Sequence, residues 1–447
     1  MKKSPLPKLL FVFIWLTANT QSGTAQWIPL GSGLHFQNTS AIGVFNSLLY
    51  AGGNFSSAGG ITANNIATWN GTSWDSVGGG MNNTVSAFAT FNNNFYAAGS
   101  FTSANRVSAN NIVKWTGTTW VPLGVGMTPG GTPQTVNALQ AYNGSLYAGG
   151  QFTKAGGNTL CTSIARWDGT TWNPLVHGLN SFVYALAVYN GALYAGGSFT
   201  NDVTGVVIAN RLVKWDGSSY SPLGSGTGMD NTVYALAVDS VNHILYAGGT
   251  FANADGVAVN YIAQWNGTSW SGLGSGMNGQ VQSLVFNNGI LYAAGLFTTA
   301  GGISANYVAA WNGTSWSALG TGTNNYTFAL DFYNGNLYAG GQFSQAGGVS
   351  ASCIAEWKSA ATGIVESTSA QQLILSPNPS TNYVNIETPS AENQLLSLFN
   401  DTGELILTQV IQNGRTTLDV STLAPGMYNV CLTSCKQIFN KRLIIIR

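Results

Sequence analysis

The stretch 183–189 (VYALAVY) alternates in the manner of a β-strand. Asn190-Gly191 follows, a strong short signal for a tight hairpin, and Ala192 to Phe199 reads as a second strand. Gly196-Gly197 lies inside that strand. Glycines there mark a bulge or a close backbone approach, as a crowded centre would require. Leu212 to Trp215 predicts a third strand, and Asp216-Gly217-Ser218-Ser219 turns the chain into a fourth, Tyr220 to Leu223. No segment of this region carries a helical period.

The same four-strand pattern recurs. A Leu/Phe-Tyr-Ala-Gly/Ala-Gly element places tyrosines at 50, 96, 147, 194, 246, 292 and 338. Each is followed 19 to 21 residues later by a tryptophan: Trp69, Trp115, Trp167, Trp215, Trp265, Trp311 and Trp357. In six units a turn then leads to a second aromatic, Trp74, Trp120, Trp172, Tyr220, Trp270 or Trp316. Four strands per 46–52 residues, repeated seven times, is the pattern of a β-propeller. The seventh unit lacks its turn and second aromatic after Trp357. The missing piece matches residues 27–33 (WIPLGSG), which parallel 120–126 (WVPLGVG). A repeat split between the two ends predicts a ring without free sheet edges. The tryptophan pairs read as packing between blades, with a ring of sugar-stacking platforms as the alternative. The repeat loosely resembles kelch and related propeller families, but its tryptophans are too close together for partners to be carried over.

The two ends differ from this body. Lys2, Lys3 and Lys8 precede an apolar run, Leu9 to Leu16, with Ala25-Gln26 as the expected cleavage site of a secretory signal. That run is too short to span a membrane. Residues 359–371 are small and polar and read as a linker. Beyond them glycine thins, and about seven short strands predict a small β-sandwich. Ser376-Pro377-Asn378-Pro379 opens this module. The run 418–428 (LDVSTLAPGMY), containing Gly426 and Tyr428, follows, with Lys441-Arg442-Leu443 before a terminal apolar strand. These residues resemble the type A C-terminal sorting domain of the Bacteroidetes type IX secretion system. The resemblance implies that the type IX secretion machinery is a partner, and that the protein is released or held at the outer surface. The expected organisation is a signal peptide (1–25), an all-β seven-bladed propeller closed by its N-terminal strand (26–358), a linker (359–371) and a sorting sandwich (372–447).

Charge narrows the function. Asp, Glu, Lys and Arg make up only 7% of the 447 residues, and 15 basic residues balance 15 acidic ones. Nothing resembles the basic stripe that nucleic-acid binding needs. Cys161 and Cys353 fall in non-adjacent repeats and are expected to be free and buried, whereas Cys431 and Cys435 have the spacing to pair across a hairpin. The spacing fits no metal motif, and no cofactor is expected. Nine acids are spread over the propeller without a recognisable catalytic constellation. Two classes remain: a secreted or surface binding module for an unknown extracellular ligand, glycan or protein, and a polysaccharide hydrolase or lyase working in the propeller funnel. Repeat-length excess collects at 124–135, 200–210 and 224–232, bringing Lys154, Asp202 and Asp230 into one sector of a charge-poor body. Those three residues are the expected ligand contacts.

Overall fold

The computed structural model describes residues 25–128, 134–207, 209–359, 373–388, 394–400, 405–411, 414–433 and 438–446. All regular structure among them is β. The chain divides into two compact units, Thr24–Ser359 and a second containing everything from Ala360 onward. The signal-peptide reading of the apolar run and the linker reading of 360–371 lie outside the described residues, as does Cys435. Ala25 is exposed, and Gln26 is the first residue of a paired strand.

The larger unit contains seven antiparallel sheets with four strands each in simple order, the first sheet carrying one extra short strand. In the fourth, Val183–Tyr189, Ala192–Gly197, Leu212–Trp215 and Tyr220–Ser221 pair in turn. The observed second and fourth strands stop two residues short of the expectation. In five sheets the second turn folds into its own two-residue hairpin, such as Asn253–Ala254 with Val257–Ala258, a detail the alternation pattern did not reveal. The seventh sheet is completed from a distance: Gln26–Pro29 pairs with Ile354–Lys358, setting Trp27 opposite Trp357. The first strand of each sheet lies against the first strand of the next, and that of the seventh lies against that of the first.

Two devices build this circuit. One is the aromatic pair, with ring centroids 4.7–5.4 Å apart in all seven sheets. In six of the seven sheets the outer member is anchored to the connector before its sheet. Trp74 Nε1 donates to the Leu30 carbonyl (2.9 Å), Trp172 to Leu123 (3.1 Å) and Trp316 to Leu273 (2.8 Å). In the split sheet, Trp27 Nε1 makes the same bond to Leu319 (2.8 Å). In the fourth sheet, Tyr220 substitutes its hydroxyl, donating to His177 O at 3.0 Å. The outer tryptophans are buried, so the packing reading holds and they offer no stacking platform.

The other device is the glycine pair. A Cβ on Gly197 would sit 2.0 Å from the Phe182 carbonyl, and Gly99, Gly150, Gly249 and Gly295 show the same collision within 0.1 Å. Its neighbour Gly196 makes room for Val233 of the following sheet, and Gly340 does so for Thr39 of the first. Cys161 and Cys353 are free and buried as expected, and burial pushes the Cys161 thiol up to about 11.

The smaller unit has seven described strands in two sheets. Ile374–Ser376, Tyr383–Glu387 and Arg415–Asp419 form one; Leu405–Ile411, Gln394–Phe399, Gly426–Thr433 and Ile438–Ile445 form the other. Leu375, Val384, Leu396, Val430 and Leu443, drawn from both sheets, share one buried core.

Gly197→Ala is expected to destabilise the larger unit by about 1–3 kcal/mol or more, since the new methyl group meets backbone rather than a movable side chain. Gly191→Asn, at a positive-φ turn open to solvent, should stay within about 0.5 kcal/mol. Urea melts of the two variants check this.

Candidate functional site

Every first strand carries a β-bulge at the same register position, opposite a Gly-Gly pair in five sheets and an Ala-Gly pair in the second and sixth. The extra residue is Ser40, Ser86, Asn137, Tyr184, Tyr234, Gln282 or Phe328. A bulge takes one side chain out of the alternation and re-aims it. Here all seven line a single cavity of about 750 Å³. Ile42, Phe88, Leu186 and Leu236 supply an apolar layer two residues further along the strands. Asn38, Gln280, Tyr326 and Gln342 lie on the side that receives the connectors. None of the lining residues is charged.

The lining is braced from within. Ser40 Oγ donates to Asn38 Oδ1 (3.1 Å), and Asn137 Nδ2 donates to the Val183 carbonyl (3.2 Å). Gln280 Nε2 donates to Gln282 Oε1. The Tyr184 and Tyr234 rings lie 4.7 Å apart at 44°. Burial, then the neighbouring Tyr234, raises the Tyr184 hydroxyl above the usual phenol range. Sequence reasoning missed this ring because it read the Gly-Gly signal only on the strand that carries it. The signal for the bulge residue itself was variation: Ser, Ser, Asn, Tyr, Tyr, Gln and Phe stand between otherwise repeating Val/Thr and Ala/Ser.

Lys154, Asp202 and Asp230 fall at three separate connector–loop junctions. No hydrogen bond or ion pair among the described residues joins them. Lys154 accepts a backbone bond from Thr128, beside residues 129–133, which lie outside the described residues. Asp202 is buried and accepts from Thr204 Oγ1 (2.7 Å) and the Val206 amide (3.1 Å), closing its own loop. Asp230 accepts from the Ala252 amide (2.9 Å) and Asn253 Nδ2 (2.7 Å). In other repeats the equivalent residue is Asn82, Asn180, Asn278 or Asn324, each clamping the next loop in the same way. The carboxylates of Asp202 and Asp230 are thus engaged within the fold.

The remaining propeller-region acids are placed similarly. Asp168 and Asp216 each clamp a hairpin through two amides and two hydroxyls, which holds their carboxyls well below the usual range. Asp239 and Asp255 order loops, and Glu356 accepts from Asn336. Burial pushes Asp331 up to about 6 against one opposing bond from the Phe332 amide. None of these acids lines the cavity.

The motif residues of the smaller unit form a latch. Asn378, held between cis-linked Pro377 and Pro379, donates to the Arg442 carbonyl (2.7 Å) and accepts from the Ile444 amide (2.9 Å). Lys441 Nζ donates to Leu373 O (2.9 Å), Tyr428 OH donates to Ala424 O (2.9 Å), and Gly426 pairs with Ile445 at the start of its strand. Residues 375–446 match the family model described as the secretion system C-terminal sorting domain. This unit is a secretion system C-terminal sorting domain. It marks the protein for export, to the cell surface or the medium, and for engagement by the secretion machinery.

No curated protein matches the chain. Among solved structures, PorZ, a surface component of the type IX secretion system of Porphyromonas gingivalis, is 16% identical with a TM-score of 0.45. The match covers 93% of this chain and 60% of PorZ. The extracellular domain of BT4673 from B. thetaiotaomicron is 11% identical (TM-score 0.48), with 95% of this chain and 59% of that one covered. The RRP9 WD40 repeats are 11% identical (TM-score 0.48), with 74% and 97% covered. The chain thus spans about three fifths of the length of the first two proteins.

Asn378→Ala breaks both bonds between the opening segment and the last strand of the sorting domain. The expected cost is about 1–3 kcal/mol, with less protein outside the cell in fractionation and an unchanged thermal transition for residues 26–358.

Proposed function

We propose that residues 26–358 form a seven-bladed propeller, closed by the N-terminal strand, that serves as a non-catalytic binding module delivered outside the cell by its sorting domain. The observation that carries this reading is the central cavity. A symmetric body converges seven re-aimed side chains on one uncharged space, while its acids are engaged elsewhere. Ligand pockets commonly fall at such shared centres, with a few convergent polar groups on an otherwise apolar wall.

The alternative is a polysaccharide hydrolase or lyase in the same funnel. Glycoside hydrolysis ordinarily uses two carboxyl groups flanking the bond, and the lining offers amides, hydroxyls and rings instead. A phenol with a raised pKa, as at Tyr184, is a poor base at neutral pH.

The mature protein is expected to bind components of immobilised glycan and protein arrays while releasing no reducing ends or unsaturated products from a polysaccharide panel. Appearance of either product would overturn the binding reading. Closure has its own check. Deleting residues 26–30 removes the buried Trp27 and exposes the edge of Ile354–Lys358, with a loss of at least about 3–5 kcal/mol. Removing five residues within 361–370 should leave the melting temperature of the larger unit unchanged; equal losses would refute the ring.

A further inference from the structure

The bulge residues are unequal, and their order around the circuit matters. Sheets one to three contribute Ser40, Ser86 and Asn137, all short and polar. Sheets four to seven contribute Tyr184, Tyr234, Gln282 and Phe328. Because first strands neighbour one another in chain order, each group occupies one continuous arc. At the level of the bulges the cavity therefore has a hydroxyl and amide arc facing an arc in which three of four residues are aromatic. We propose that this cavity binds a neutral carbohydrate, with sugar rings laid on Tyr184, Tyr234 and Phe328 and their hydroxyls directed to Ser40, Ser86 and Asn137. The assignment rests on the binding-module reading and names its ligand class.

Three features select this chemistry. An ionised ligand entering this space would lose hydration and meet no opposite charge, a cost that unpaired buried charges do not recover. A pyranose has a C–H face and a rim of hydroxyls, which match the two walls. The polar wall is also suited to hydroxyls. Asn137 is oriented by the bond to Val183, and its amide keeps an acceptor and a second N–H for a ligand. The Tyr184–Tyr234 pair is splayed by 44°, so the two rings offer differently inclined surfaces to successive sugar units. A peptide would also bring backbone amides, but a charge-free site with three aromatic positions on one arc discriminates poorly among peptide side chains.

The test uses the mature protein and calorimetric titration with neutral hexasaccharides (cello-, manno- and xylo-oligosaccharides), matched oligouronates and a peptide library. At least one neutral oligosaccharide should bind. Tyr234→Ala should weaken it by tenfold or more, and Ser86→Trp, which fills the cavity from the opposite wall, should abolish it. Lys358→Ala, outside the cavity lining, should leave it unchanged, and circular dichroism melts establish that each variant folds. Binding of only oligouronates or peptides, abolished by Ser86→Trp, overturns the carbohydrate assignment while keeping the cavity as the site. Binding that survives Ser86→Trp overturns the cavity reading itself. Failure of every probe to bind overturns both.

Discussion

The separation between the first two strands of each sheet governs much of the larger unit. Where they approach, the carbonyl of one strand stands about 2 Å from the place a Cβ would occupy on the other. Only glycine satisfies this, and the strand facing it takes up an extra residue. The same two-residue step of the repeat therefore does two things. It lets consecutive sheets pack closely, as Gly196 does against Val233, and it delivers one side chain per sheet to a common centre. Packing fixes the residues around the bulge, while the bulge residue itself contributes little to packing and is free to vary. A repeat that is nearly invariant in its core thus produces a site that is unequal around its circumference.

Much of the architecture was legible beforehand because its signals are local. Tyr-Ala-Gly-Gly, Asn-Gly and the paired tryptophans each fix a strand or a turn within a few residues, and their recurrence exposed the repeat. The match of 27–33 to 120–126 pointed to the pairing now seen between Gln26–Pro29 and Ile354–Lys358. The sorting domain was legible from short motifs, although their physical role was not. Asn378 works through atoms of residues 442 and 444, a relation that no local pattern contains.

The cavity residues were less legible, for a physical reason. Charge looked informative in a chain so poor in it, which drew attention to Asp202 and Asp230. In the fold a carboxylate does the same work as an asparagine oxygen, accepting amides that would otherwise go unmatched, and Asn82 and Asn278 show the equivalence directly. The scarce carboxylates of Asp202 and Asp230 thus serve loop closure. The cavity residues are ordinary in type, and only their shared register makes them a set.

The divided seventh sheet has a consequence for how the molecule comes into being. Its outer strand leaves the ribosome more than 300 residues before the partner it pairs with. Contacts of such sequence separation form late and slowly. Until Ile354–Lys358 emerges, Gln26–Pro29 is a strand without a sheet, and the chain carries open edges able to pair wrongly. Completion is therefore deferred until that later strand has been made. In a protein marked for export, that delay leaves the two partners of the outer strand pair apart while all the intervening repeats are made.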